Sequence, residues 1–160
     1  MKLRLTNHYL LTCGALIVAV LCVLSVSSPV RFQHEQAKRE TAVKGRLLKI
    51  RIAEEHYRQA HGVYTADFSK LTHSHLLADS LQYIPFASGK RFDLAASTII
   101  GKSGRQIPVM ECGASYDAYL DGLDQNTVAN LIKEANVSGR YPGLKIGDIT
   151  EPNNNAGNWE

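Results

Sequence analysis

Residues 9–30 read YLLTCGALIVAVLCVLSVSSPV, and residues 33–60 read QHEQAKRETAVKGRLLKIRIAEEHYRQA. The first stretch carries no charge over 22 residues, enough at about 1.5 Å per residue to cross a hydrocarbon core of about 30 Å. The second is almost free of breakers and rich in Glu, Lys, Arg, Gln and Ala, which favour the helix. Val43, Leu47, Ile50, Ala53, Tyr57 and Ala60 recur there at steps of three and four, while Lys44, Arg51, Glu55 and Arg58 fall off that stripe, the pattern of an amphipathic helix with one face to pack. The two stretches together predict a transmembrane helix that runs on into a long amphipathic helix. His61-Gly62 supplies its stop, because glycine accepts the positive φ of a helix C-cap.

Working outward, the expected organisation is a tail at 1–8, a transmembrane helix at 9–30, an amphipathic helix at 31–61, a small α+β head at 62–150 and a polar tail at 151–160. A cleaved signal peptide competes for the N-terminus, since Lys2 and Arg4 form a positive start and Val26-Ser27-Ser28 a small-residue site. The apolar core outruns the usual h-region of about 7 to 15 residues, which favours an uncleaved anchor. Cys13 lacks the small residue before it that a lipid-modified cysteine needs, so Cys13 and Cys22 read as packing residues. The net charge is +3, and half of the 18 basic residues lie before position 52, a belt expected to meet lipid headgroups. Basic residues on both sides of the span leave orientation open by charge alone. Only Phe32 and Tyr57 are aromatic between Val30 and Ala60, which argues against nucleic acid as a partner.

Beyond Gly62, Thr65 or Asp67 caps a short helical turn, with Val63, Tyr64, Phe68 and Leu71 folding back on the stripe. Strands are expected at 81–86, 91–96, 98–100 and 106–110, with turns at Ser88-Gly89 and at Gly101-Lys102-Ser103-Gly104 and with Pro85 and Pro108 at edges. They assemble as a small antiparallel sheet. A helix at 125–136 has Val128, Leu131, Ile132 and Ala135 on one face and Asp124 or Asn126 as its cap. The tail is breaker-rich and reads as a flexible end, except that Trp159 is a large apolar group to leave wet and is expected in a pocket or on a partner.

Chemistry leaves little trace. Gly101-Lys102-Ser103-Gly104 lacks the glycine five positions before Lys102 that a phosphate cradle requires, that position being Ser97. His73 and His75, and His56 and His61, have no standard zinc spacing. No Gly-x-Ser-x-Gly elbow occurs. Glu54-Glu55, Asp117, Asp121 and Asp124 read as solvated carboxylates and Cys112 as a small core residue. No catalytic residue, cofactor or metal is expected. The candidate interaction residues are Val43, Leu47, Ile50, Tyr57 and Trp159, and the expected partners are the lipid bilayer and other envelope proteins, or a second copy through the N-terminal helix.

The passage 50–71, IRIAEEHYRQAHGVYTADFSKL, resembles the type IV pilins and type II secretion pseudopilins: an Ala-rich amphipathic helix continuing from an apolar segment, an aromatic near its end, then Gly62-Val63-Tyr64-Thr65 at the domain entrance. The prepilin leader pattern is not matched, since Gly14 is followed by Ala15 and no acid precedes Glu35. The whole chain is similar to a family of single-span bacterial membrane proteins through Arg39-Glu40, Tyr83-Ile84-Pro85-Phe86, Tyr141-Pro142-Gly143-Leu144-Lys145 and the terminal Gly157-Asn158-Trp159-Glu160. These resemblances imply a pilin-like α+β fold, a place in the bacterial inner membrane with the head in the periplasm, and a structural or assembly role in an envelope secretion or pilus-type machine. An anchored module binding a peptide, glycan or envelope protein is the alternative.

Overall fold

The computed structural model describes residues 3–101 and 104–160, with residues 3–8, 10 and 23–29 described by their helical backbone alone. The fold is α+β. Its elements in chain order are α1 (Leu3–His61), α2 (Phe68–His73), a 3-10 turn (Asp79–Gln82), β1 (Asp93–Ile100), β2 (Gln106–Ser115), α3 (Tyr116–Tyr119), α4 (Gln125–Val137) and β3 (Gly143–Gly147). The chain divides into two compact units, Met1–Ala37 and Lys38–Glu160.

The first unit is the N-terminal part of α1, which already includes most of the expected tail at 1–8. Residues 11–22 are exposed without interruption, so Leu16, Ile17 and Val18 face solvent on successive sides of the helix. Among the described residues no helix is long and apolar enough to cross a membrane. The run on which a span is expected includes the side chains of Leu10 and residues 23–29, which lie outside the described residues.

In the second unit the amphipathic stripe is core as far as Ala53, while Tyr57 is half-buried and Ala60 exposed. Val43, Leu47 and Ile50 are fully buried, with Ala53 beside them, and share the interior with Leu71, Phe92, Met110, Cys112, Leu120 and Ile146. These three α1 residues are therefore consumed inside the head, which corrects the expectation that they meet another chain. A helix this polar on its other face gains its stability from such burial more than from propensity.

Three arginines of α1 secure the loops. Arg39 donates to the carbonyls of Tyr119 and Asp121 at 3.0 and 2.7 Å, and its guanidinium lies 5.1 Å from the Phe86 ring centre. Arg46 donates to the carbonyls of Ser80 and Tyr83. Arg51 donates to the Asn155 carbonyl and pairs with the Glu160 carboxylate at 3.0 Å. Much of the basic belt assigned by sequence to headgroups is thus spent on the head, because a guanidinium offers several donors to carbonyls that the loops leave unpaired.

Gly62, at φ 79°, ends α1, and Asp67 caps α2 by accepting from the Ser69 amide at 2.8 Å. The expected strand at 81–86 does not form. Pro85 cannot donate, Phe86 and Ser88 take left-handed backbone, and only the Tyr83–Arg91 bridge remains of the pairing. The strands expected at 91–96 and 98–100 are one strand, β1, paired antiparallel with β2 from Asp93–Gly113 to Ile100–Gln106. Pro108 lies in the middle strand, yet β3 pairs only with Glu111 to Ser115, so at Pro108 β2 still has an open edge. The intervening turn is closed by Gly101 and Arg105, while Lys102 and Ser103 lie outside the described residues. α4 starts at the expected cap, Asp124 accepting from the Thr127 amide at 2.8 Å, and buries Val128 and Ala135.

The C-terminal tail is not a loose end. Ile146 and Gly157 form an antiparallel bridge, the Asn158 amide donates to the Lys145 carbonyl at 2.9 Å, and the Asn158 side chain holds the Lys145 amide and the Gly143 carbonyl. Asn155 is buried and donates to the Tyr64 hydroxyl at 2.8 Å. The tail lies along the outer edge of β3 and satisfies backbone groups that an edge strand leaves open.

Two outcomes follow from this packing. Leu47→Ala should lower unfolding free energy by about 3 kcal/mol in urea denaturation with the m-value unchanged, and Leu47→Asp should leave the head unfolded; a folded Leu47→Asp head would refute the burial. Deleting residues 153–160 should lower the melting temperature by roughly 5 to 10 °C, measured by circular dichroism.

Candidate functional site

Within the second unit lies a groove of about 630 Å³, within the usual range of ligand pockets. α1 contributes Glu40 and Lys44, α3 contributes Tyr116, and α4 contributes Leu131 and Glu134. The remaining wall is Arg140 and Tyr141 before β3, Lys145 on it, and Asp148, Asn158 and Trp159 after it. Trp159 is seated here within its own chain. Its ring packs so closely on Gly157 that a Cβ there would lie 2.7 Å from ring atoms, and the Lys44 ammonium is 5.6 Å from the ring centre.

The groove's charges pair with one another. Lys44 lies 3.8 Å from Glu40, Arg140 3.7 Å from Glu134, and Lys145 3.3 Å from Asp148 and 2.9 Å from Glu111. Hydrogen bonds from the Thr150 hydroxyl and amide, and then Lys145, hold Asp148 down to about 2. Burial, followed by neighbouring acids, pushes the Tyr141 phenol up to about 12. Burial likewise raises Tyr116, and raises Tyr119 far more, with Glu40, Tyr116 and Tyr141 adding to the rise at Tyr119. Tyr119 is fully buried, its ring 5.9 Å from that of Tyr116, and its hydroxyl finds no hydrogen-bond partner among the described residues.

A second unusual group is Glu54. It was expected in solvent beside Glu55 and is instead fully buried. One carboxyl oxygen accepts from the Thr65 amide at 3.0 Å, and the other has no partner among the described residues. Burial lifts its pKa to about 7 against the lowering effect of the Thr65 amide. The four-residue step from Ile50 already puts Glu54 on the buried stripe; its charge hid the signal. Cys112 lies fully buried on β2, its thiol pushed well above the ordinary range first by burial and then by Glu54.

The other sequence-derived candidates disperse. Tyr57 is half-buried and stacks on His61 with ring centres 4.1 Å apart. His56, His61, His73 and His75 are exposed. Among the described residues no group of three or more His, Cys, Asp or Glu side chains is placed to hold a metal ion. The sequence did not single out Tyr116, Tyr141 and Lys145 as one site because they converge from α3, from the segment before β3 and from β3 itself. Neither a family model nor a curated protein nor a solved structure matches the chain. Fold and site together define a small α+β head, built on the C-terminal part of a long helix, with a polar, aromatic-edged groove.

The buried Glu54 makes stability depend on pH. Its folded pKa exceeds the unfolded one, so the folded head keeps a proton that the unfolded chain has lost; this contribution is complete below the ordinary glutamate range and disappears as pH rises through about 7. Stability should fall by about 3 kcal/mol more in the native protein than in Glu54→Gln between about pH 5 and pH 8. Parallel urea-stability profiles for the two proteins would contradict the assignment.

Proposed function

We propose that this protein is a membrane-anchored, pilin-like structural or assembly component of a bacterial envelope machine, held in the inner membrane with its head in the periplasm. The observation that carries the proposal is the run of exposed apolar side chains at residues 11–22. A helix apolar all round is stable only when something apolar surrounds it, and the uncharged sequence from Tyr9 to Val30 matches the thickness of a bilayer. The helix then continues without a break into the head, as the resemblance to pilins and pseudopilins implies. With Val43, Leu47 and Ile50 consumed inside the head, contacts to other envelope proteins or to a second copy fall to the helix before Lys38.

A second reading, an anchored binding module, is favoured by the groove. Trp159, Tyr116 and Tyr141 edge a cleft of about 630 Å³, a size at which small ligands are held.

A reporter active only outside the cytoplasm, fused after Glu160 through a flexible linker that spares the Arg51–Glu160 pair, tests the anchor and its orientation. The expected result is reporter activity from a product that resists alkaline extraction from membranes and has an uncut N-terminus by mass. An inactive reporter would place the head in the cytoplasm, and release at alkaline pH would remove the anchor.

A further inference from the structure

We infer that the outer edge of β1 pairs with the same edge of a second copy of this chain, antiparallel about a two-fold axis at Ser97, so that two sheets join into one. The contact lies on the head and adds to those assigned to the helix before Lys38. Its first ground is the open edge itself. β1 is an outer strand of the sheet, hydrogen-bonded along its length to β2. Backbone groups alternate sides along an antiparallel strand. The Gly101 amide bonds across to the Arg105 carbonyl at 2.9 Å, so the odd-numbered residues of β1 direct their backbone groups at β2. The even-numbered ones therefore point outward. Phe92, just before the strand, agrees with this by donating to the Gln82 carbonyl at 3.0 Å. Beyond it, the amides and carbonyls of Leu94, Ala96, Thr98 and Ile100 have no hydrogen-bond partner among the described residues.

The second ground is that nothing guards this edge. Native proteins blunt open edges with lysine, proline, a bulge or a covering segment. The opposite edge, on β3, has the C-terminal tail over it. β1 uses none of these devices among the described residues. Its register with β2 runs unbroken from Asp93 to Ile100, it contains neither proline nor lysine, and its one charge is its first residue. At its far end Ile100 is 77% exposed.

The third ground is that the edge complements itself, which favours a second copy over a foreign strand. About a two-fold axis at Ser97, Leu94 lies opposite Ile100 of the other copy, Ala95 opposite Ile99, Ala96 opposite Thr98 and Ser97 opposite Ser97. The pairs that exchange hydrogen bonds are then the even-numbered ones, whose groups are open. The exposed Ile100 gains Leu94 as an aliphatic cross-strand neighbour. Along these pairs no like charges face each other, and Asp93 comes to Gly101 of the other copy, in the turn that carries Arg105. One strand pair is small beside the roughly 1,200 to 2,000 Å² of stable interfaces; the proposed anchor offsets this by holding copies in one plane at high effective concentration.

A cysteine at the axis reads the contact. Opposed residues of a non-hydrogen-bonded pair stand about 4.5 Å apart at Cα, within disulfide reach. Ser97 is exposed, so replacing it spares the head. The full chain carrying Ser97→Cys, with Cys13 and Cys22 changed to alanine and the buried Cys112 kept, is reconstituted in phosphatidylcholine vesicles and mildly oxidised. The expected result is a disulfide-linked dimer, formed several-fold more than from Thr98→Cys or Asn136→Cys, both also at exposed positions. Adding Ile100→Lys, which sets a charge against Leu94 of the other copy, should cut the dimer about five-fold. Equal cross-linking from the three cysteine positions would mark random collision and overturn the inference, as would a dimer indifferent to Ile100→Lys. A Ser97→Cys chain that stays monomeric would overturn it too and leave the edge to a strand of another protein. A chain that fails to float with the vesicles contradicts the anchor alone, and the same oxidation in solution then decides the edge.

Discussion

The burial of one helical stripe is the constraint on which the rest of the head depends. Val43, Leu47 and Ile50 leave no surface to solvent, and each buried aliphatic side chain contributes roughly 1.5 to 3 kcal/mol. Arg39, Arg46 and Arg51 flank that stripe and bind carbonyls in three separate loops, after α3, around the 3-10 turn and in the C-terminal tail. α1 therefore acts as both core and fastening. Its apolar face fixes where the sheet lies, and its arginines fix where the irregular segments return.

The tail closes the structure that the helix begins. By lying against β3 it covers an edge that a three-stranded sheet leaves open, and by turning back at Gly157 it sets Trp159 into the groove wall. Glu160 pairs with Arg51 of α1, and Asn155 bonds to Tyr64 at the entrance to the head. The groove is consequently a product of contacts distant in sequence, assembled from α1, α4, β3 and the tail.

Two kinds of buried polarity coexist in this small head. The groove's carboxylates are partnered and partly wet, and hydrogen bonds from Thr150 and Lys145 hold Asp148 ionised. Among the described residues Glu54 has one amide for company and no cation, so desolvation prevails and its proton stays on to about neutral pH. Its position where α1 meets the domain entrance ties the helix to the backbone at Thr65 and makes that junction sensitive to protonation.

Read alone, the sequence determined what depends on local chemistry and period: the long helix with its stripe, the stop at Gly62, the cap of α2 down to Thr65 or Asp67, the cap of α4 down to Asp124 or Asn126, and a turn after Ile100, which Gly101 and Arg105 close. Those features are set by residues within a turn or two of one another, so spacing and propensity suffice. It misplaced a strand at 81–86, where Pro85 and two left-handed residues outweigh an apolar pattern, and it missed β3, whose five residues pair only because β2 is beside them. Only the tertiary structure decided that Glu54 is buried, that the arginines of α1 bind loops of the head, that the tail lies against β3 and that Tyr116, Tyr141 and Trp159 line a common groove. The physical reason is the same in each case: burial and hydrogen-bond partners are properties of where distant segments meet, and no single stretch of chain encodes its neighbour.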